Sequence, residues 1–358
     1  MKKLIYIALL SLAFFSCGKE DGPDNTPPVE TPVNWRAAAD SSSTALTRSF
    51  WNAANKYFYY DSNGKHDFHY WPQAHALDVW VDAYLRTGDN AYKAYFDQWF
   101  EGVKAKNGNT FDNHFYDDME WIALALLRVY DATQDAKYKD AALEVWGYIK
   151  TGWSETAGGG IFWNKDRNGK NACSNGPASI LAARLYQRFK NEDDKQWALK
   201  IYEWEKSVLF NTNTGAVSDN IDIATGVVNK DWVFTYNQGT FVGAAVELHQ
   251  ILGEKAYLND AVLAANYTIG TLVSNSILKS EGTGDGGLFK GIFIRYFTEL
   301  IRQERLDEGD KRKYLQFIKY NAETLWLQGT AKPSVFFGPD WRNKPSSGTG
   351  LTEQLSGC

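Results

Sequence analysis

The sequence predicts an all-α fold, an (α/α)6 toroid of helical hairpins. Three observations carry that prediction. Long amphipathic stretches alternate with short polar turns through most of the 358-residue chain. One turn type recurs at an interval of roughly 45 to 60 residues, which is one helical hairpin and longer than the roughly 34 residues of a tetratricopeptide solenoid. Glycine-rich inserts at Gly158-Gly159-Gly160 and from Gly282 to Gly287 interrupt the repeat. They favour a closed enzyme over a plain stack of hairpins.

The recurring turn reads Leu85-Arg86-Thr87-Gly88-Asp89-Asn90-Ala91-Tyr92, then Tyr130-Asp131-Ala132-Thr133-Gln134-Asp135-Ala136-Lys137-Tyr138. It returns at Ile251 to Tyr257 and at Leu306 to Tyr314, with a poorer copy from Asn191 to Trp197. An acidic or amide residue suits a helix N-cap or first turn, and the aromatic packs about one turn later. Helices are predicted over 37–59, 72–86, 90–105, 116–130, 136–150, 172–189, 193–209, 240–252, 255–273, 287–303 and 311–328. From 209 to 231 Gly, Asn, Asp and β-branched residues replace the helical pattern, so a long loop with a short hairpin is expected. Six pairs need a twelfth helix. Thr352 could open it, but the chain reaches Cys358 at once, so the last helix is expected truncated or missing.

The N-terminus reads as an address. Lys2 and Lys3 precede an apolar run from Leu4 to Phe15, shorter than the about 20 residues that cross a bilayer as a helix. Ser16-Cys17 follows and resembles a bacterial lipobox, with Phe14 where Leu is usual. Residues 1–17 are expected to be a lipoprotein leader with Cys17 as the lipidation site. An ordinary leader with an incidental cysteine is the alternative. Lys19-Glu20-Asp21 resembles an acidic surface-export tag. Residues 18–34, with Pro23, Pro27, Pro28 and Pro32, read as a disordered linker, and 35–358 as one domain. The expected location is the cell envelope, with the outer membrane reached through the lipid anchor only.

Composition narrows the function. A net charge of −5 gives no basic footprint for nucleic acid. Aromatics reach 15%, and flat rings with polar edges suit the mixed faces of a sugar, although large helical cores use them too. Without Cys17, only Cys173 and Cys358 remain, enough for one bridge at most. Cys173 reads as a small buried residue. Gly284-x-Gly286-Gly287 lacks the strand and lysine of a phosphate loop. No His/Cys set has zinc spacing, and no Gly-x-Ser-x-Gly is present. No cofactor or metal is expected.

The chemistry points to Asp117-Asp118, in Phe115-Tyr116-Asp117-Asp118-Met119-Glu120-Trp121. Acids at a helix start are common for dipole reasons alone. Here aromatic flanks lower the local dielectric, and adjacent like charges cannot both ionise cheaply, so one pKa should rise above the other. A split carboxylate pair is what glycosidic cleavage requires. Neighbouring side chains can reach the about 5–5.5 Å separation of a retaining mechanism more easily than the wider inverting gap.

Five ordered blocks sharpen this: Tyr-Asp-Asp-x-x-Trp from Tyr116, Gly-Gly-Gly-Ile-Phe-Trp from Gly158, Lys170-Asn171-Ala172 with Asn175-Gly176-Pro177, Phe234-Thr235-Tyr236-Asn237-Gln238-Gly239, and Phe289-Lys290-Gly291-Ile292-Phe293-Ile294-Arg295-Tyr296. Together they resemble glycoside hydrolase family 76 from about Trp51 to Thr352. That resemblance implies an (α/α)6 fold, endo-cleavage of α-1,6-linked mannan with retention, and no metal. It makes Asp117 the nucleophile and Asp118 the general acid/base; physics alone does not order the two. It also makes Asp219 an acidic substrate ligand, against the alternative of an Asx turn. Asn175 and Asn237 could bond sugar hydroxyls or cap helices. Tyr236 and Trp163 could stack on mannose or pack the core. Lys290 and Arg295 fall in a family motif, although Arg295 could simply pair with a buried acid. The expected partner is α-1,6-mannan or its oligosaccharides, and the expected state is a monomer. Two alternatives stay open: a transglycosylase or other glycan hydrolase on the same fold, and a non-catalytic glycan-binding outer-membrane lipoprotein.

Overall fold

Two kinds of helix alternate along the chain. The computed structural model describes residues 32–358; Cys17, the expected leader and most of the expected linker lie outside the described residues. The helices are α1 (Trp35–Phe50), α2 (Tyr70–Thr87), α3 (Ala91–Lys106), α4 (Tyr116–Thr133), α5 (Ala136–Lys150), α6 (Gly176–Phe189), α7 (Glu192–Val208), α8 (Thr235–Leu252), α9 (Lys255–Thr271), α10 (Gly286–Ile301), α11 (Glu308–Thr324) and α12 (Leu351–Gly357). Odd-numbered helices bury a single stripe; α11 hides only Tyr314, Phe317, Asn321 and Thr324. Even-numbered ones are covered nearly all round, and α8 is buried continuously from Asn237 to His249. A helix apolar on every side belongs inside, and one with a stripe belongs on the surface.

The even helices form a closed inner ring. α2 packs on α4, α4 on α6, α6 on α8, α8 on α10 and α10 on α12, which returns to α2. The odd helices back this ring from outside. This is the (α/α)6 toroid that the periodicity predicts. Small residues set the ring's tightness: a Cβ on Gly239 of α8 would lie 2.6 Å from the Phe293 Cα of α10. Fully buried Trp80, Trp99, Tyr202 and Phe241 fill the space between the two rings. Each such ring contributes on the order of 1.5–3 kcal/mol by leaving water.

The toroid has two unlike ends. Inner helices run into the next outer helix through the short recurring turns. Gly88, Gln134, Lys190 and Gly253 adopt left-handed conformations there and return their N–H to the last helical turn. Asp135, Asn191 and Asp307 then cap the next helix with their side chains. Outer helices reach the next inner helix by long connections, and most of these carry a short antiparallel pairing. All inner-helix N-termini therefore gather at the end with the long loops.

Three predicted boundaries differ. The expected helix 37–59 ends at Phe50, and Trp51–Asn52 pairs with Tyr57–Phe58 instead. Its turn is held by Asn52 Oδ1, which accepts from Asn55 N at 3.2 Å, and Trp51 lies against Trp80 at 4.8 Å. The expected helix 172–189 breaks before Gly176, where Pro177 suits the first turn of α6. α8 starts at Thr235 rather than 240, because Glu281 from a distant loop caps Thr235 N at 2.8 Å. The twelfth helix is short, as expected, with seven residues over Leu351–Gly357, and it closes the ring.

Candidate active site

Asp117 and Asp118 occupy the first turn of α4, at the end where the inner N-termini converge. The start of α4 is pinned by a partner remote in sequence. Phe115 forms a bridge with Asn164, and Tyr116 N donates to Trp163 O at 2.9 Å. The Trp163 indole then donates to Asp117 Oδ2 at 3.3 Å, with its ring 4.8 Å from Phe115. Phe115 and Trp163 are both half-buried and line the mouth.

Burial dominates the electrostatics of the pair. It pushes Asp117 up to about 7 against the pull of hydrogen bonds from Cys173 and Trp163. It lifts Asp118 well above the carboxylate range, and the nearby charges of Asp117 and Asp285 lift it further. The two acids thus differ in proton affinity, with Asp117 ionising first. Asp285, at the start of α10, stays ionised because His69 and Trp71 both donate to its Oδ1, at 3.1 and 2.9 Å. Behind Asp117, Glu120 is fully buried on the same helix, and burial keeps its carboxyl protonated far above its usual range.

A connected polar chain leads away from Asp117. The Cys173 thiol stands between the Asp117 carboxyl and the Tyr236 hydroxyl and bears on the proton affinity of both. Tyr236 OH reaches Asp219 Oδ1 at 3.4 Å. Asn237 Nδ2 donates to the same oxygen at 2.8 Å, and Asn171 Nδ2 donates to Oδ2 at 3.1 Å. Asp219 is buried at 5% exposure, and burial raises its pKa against those three donors. Its backbone is fixed too, because the segment Asn220–Asp222 pairs with both Lys170–Asn171 and Val227–Val228.

The structure thus gathers Asp117, Asp118, Trp163, Asp219 and Tyr236 at the N-terminal end of the inner helices, with Asn237 wholly buried behind Asp219, to which it donates. Asn237 is therefore corrected from a sugar ligand to a support of Asp219, and three other predicted ligands are corrected with it. Asn175 is wholly buried and clamps a loop: its Oδ1 accepts from Ile161 N at 2.8 Å, while Nδ2 donates to Ile161 O and Asn171 O. Lys290 is wholly buried, donates to Pro339 O at 2.6 Å and faces Trp341, so it anchors the segment before α12. Arg295 lies deeper along α10 and pairs with Asp78. Sequence reasoning missed Cys173, His69, Trp71 and Asp285 as parts of the site. Trp71 stands at the start of an inner helix, and that position was the available signal.

A cavity of about 650 Å³ opens at the other end of the toroid. It runs inside the ring from His75, Trp121 and Leu288, about one turn below the acid pair, to the C-terminal ends of the inner helices. Its charges cancel internally: Arg128 pairs with Asp78 and Asp82, Arg184 with Glu247 and Glu299, and Arg188 with Asp131. Among the described residues, no cluster of His, Cys, Asp or Glu is arranged to hold a metal ion.

Residues 34–358 match the sequence profile of glycosyl hydrolase family 76. This chain belongs to that family. Its fold superposes on the GH76A α-1,6-mannanase of Salegentibacter sp. with a TM-score of 0.88 and 44% identity, over 90% of this chain and 97% of that one. An inactive form of that mannanase with two substituted aspartates has been solved with α-1,6-mannotriose. The Lin0763 protein of Listeria innocua is 34% identical, with a TM-score of 0.84 over 91% of this chain and 95% of that one. A mannan endo-1,6-α-mannosidase of Candida glabrata is 29% identical across 42% of this chain and 38% of its own length. The likeness to that yeast protein thus spans well under half of it. As a family 76 member, the chain shares its fold with the α-1,6-mannanase of Salegentibacter sp..

Proposed function

We propose that the chain is an endo-acting α-1,6-mannanase that retains anomeric configuration. The observation carrying this reading is the Asp117–Asp118 pair, with unequal proton affinities, at the aromatic-lined mouth of a toroid. The 44% identity with the Salegentibacter mannanase supports the substrate class. Asp117, ionised and oriented by Trp163, attacks the anomeric carbon. Asp118 gives its proton to the departing glycosidic oxygen as that bond breaks. The glycosyl ester on Asp117 is then opened by water, whose proton passes to Asp118, restoring both groups. Asp219 and Tyr236 offer an acceptor and a donor for sugar hydroxyls beside the nucleophile, with Asn237 holding Asp219 from behind.

Incubation with debranched yeast mannan tests the reading. Wild type should release short α-1,6-manno-oligosaccharides whose first-formed anomer is α by NMR. Asp117→Asn and Asp118→Asn should release almost none. Wild type that binds mannan yet cleaves none would favour the non-catalytic glycan-binding reading, and longer products than the starting oligosaccharide would favour transglycosylation.

The chain's proposed location is the cell envelope, as a monomer anchored through lipid on Cys17. The support is the basic n-region, the short apolar run and Ser16-Cys17. Labelled palmitate should enter the wild-type protein in cells and be absent from Cys17→Ala.

A further inference from the structure

Trp232 has no packing reason to be where it is. It follows the hairpin of Asn220–Asp222 and Val227–Val228, and it is 55% exposed. Its backbone is nevertheless fixed, since Trp232 O accepts from Asp219 N at 2.8 Å. Single exposed apolar residues are ordinary on protein surfaces. Trp232 differs because it ends a continuous stripe of rings. Its ring lies 6.3 Å from Phe234; Phe234 lies 5.6 Å from Phe289 and 6.2 Å from Tyr236. Tyr236 stacks on Phe289 at 3.8 Å with an 11° tilt. Phe234, Tyr236 and Phe289 are all half-buried, and Trp232, Phe234 and Phe289 stand outside the packed core. The inner end of the stripe is Tyr236, whose hydroxyl reaches Asp219 Oδ1 at 3.4 Å. The outer end is in solvent.

We infer that Trp232 is a remote sugar-binding platform, on which a hexose of the mannan chain several units from the cleaved bond lays its apolar face. This rests on the α-1,6-mannanase reading and extends it to chain length. A flat indole held by a rigid backbone loses little entropy on stacking and presents both an apolar face and an N–H. An oligosaccharide must extend from the acid pair past Tyr236 and Phe234 to reach it. The protein should therefore favour long chains over short ones, and Trp232 should set much of that preference.

The test compares KM for polymeric debranched mannan with KM for an α-1,6-mannotriose. In Trp232→Ala the ratio of the short-chain to the long-chain KM should fall about tenfold, the size of effect typical for removal of an anchoring tryptophan. Trp232→Leu, which keeps apolar bulk without a flat face, should fall likewise, and Trp232→Phe should retain most of the preference. Trp35→Ala, an exposed tryptophan on α1, should leave the ratio at the wild-type value. An unchanged ratio in both Trp232→Ala and Trp232→Leu, with wild-type melting in either one, overturns the inference. Inactivity of wild type on every α-1,6-mannan defeats the functional reading instead. Calorimetric binding of long chains to wild type and Trp232→Leu then decides this one, with equal affinity counting against it.

Discussion

The Trp163 indole donates to Asp117 Oδ2 at 3.3 Å, so a residue 46 positions downstream orients the proposed nucleophile. The same stretch of backbone starts α4 by accepting from Tyr116 N. One short loop thus fixes both the helix that carries the acids and the rotamer of the first of them. Holding a reacting group in a single geometry in advance is what makes it effective.

The first prediction concerns pH. Burial pushes Asp117 up to about 7 and Asp118 higher still. The proposed reaction needs Asp117 ionised and Asp118 protonated. The kcat/KM profile should therefore climb from acid pH toward neutrality and fall on the alkaline side as Asp118 loses its proton. Asp285→Asn removes a negative charge that raises Asp118 and should move the alkaline limb to lower pH. An optimum near pH 4 in wild type would contradict the assignment.

Cys173 offers a second test. Burial holds its thiol far above the usual range, and the charges of Asp117 and Asp219 add to this. It should therefore stay unreactive toward iodoacetamide at pH 8. Its hydrogen bond lowers Asp117. Cys173→Ala should move the acid limb of the profile to higher pH, and Cys173→Ser should restore it. Rapid alkylation of native protein at this residue, or an unmoved acid limb, would refute the role.

Asn175 and Arg295 should behave as structural residues. Asn175→Ala leaves the buried Ile161 N without its acceptor, costing roughly 1–3 kcal/mol. Arg295→Met strips Asp78 of one of its two guanidinium partners at the far end, which should cost several kcal/mol, about 3–5 if the pair is fully broken. Both variants should melt earlier while KM for mannan stays within about twofold, a change well under 1 kcal/mol. A large rise in KM with normal melting would return either residue to the substrate.

Stability should fall as pH rises above the normal carboxylate range. Glu120 and Glu205 are fully buried, no side chain donates to their carboxyl oxygens, and burial raises both well above the usual glutamate range. The folded state then keeps protons that the unfolded chain releases above about pH 4. Their contribution is full below that pH and declines as pH climbs toward the folded-state values. Glu120→Gln or Glu205→Gln should flatten this slope, to which a single acid adds at most about 1.4 kcal/mol for each step of one in pH. Either variant should also raise the melting temperature at pH 8. Thermal melts from pH 5 to 8 measure it, and parallel slopes in wild type and variants would oppose it. Asp78 acts in the other sense: burial opposes its ionisation, but Arg295 and Arg128 together hold it below the usual range, so its contribution is lost in strong acid.

The sequence alone determined the repeating plan. Amphipathic periodicity gave the helices, and the recurring Gly/Asx turns gave the hairpin pairing, because both are local: a cap or a stripe needs only its own few residues. The acid pair was legible for the same reason, being two neighbours at a helix start. Tertiary structure decided everything that depends on residues far apart in the chain. Glu281 caps Thr235 and moves the start of α8, Trp163 reaches back to Asp117, Cys173 links Asp117 to Tyr236, and Asn175 and Lys290 turn inward to satisfy buried backbone carbonyls and amides rather than outward to a sugar. Side chains of one type can serve a ligand or the backbone, and only the fold fixes which unsatisfied group lies within hydrogen-bond reach.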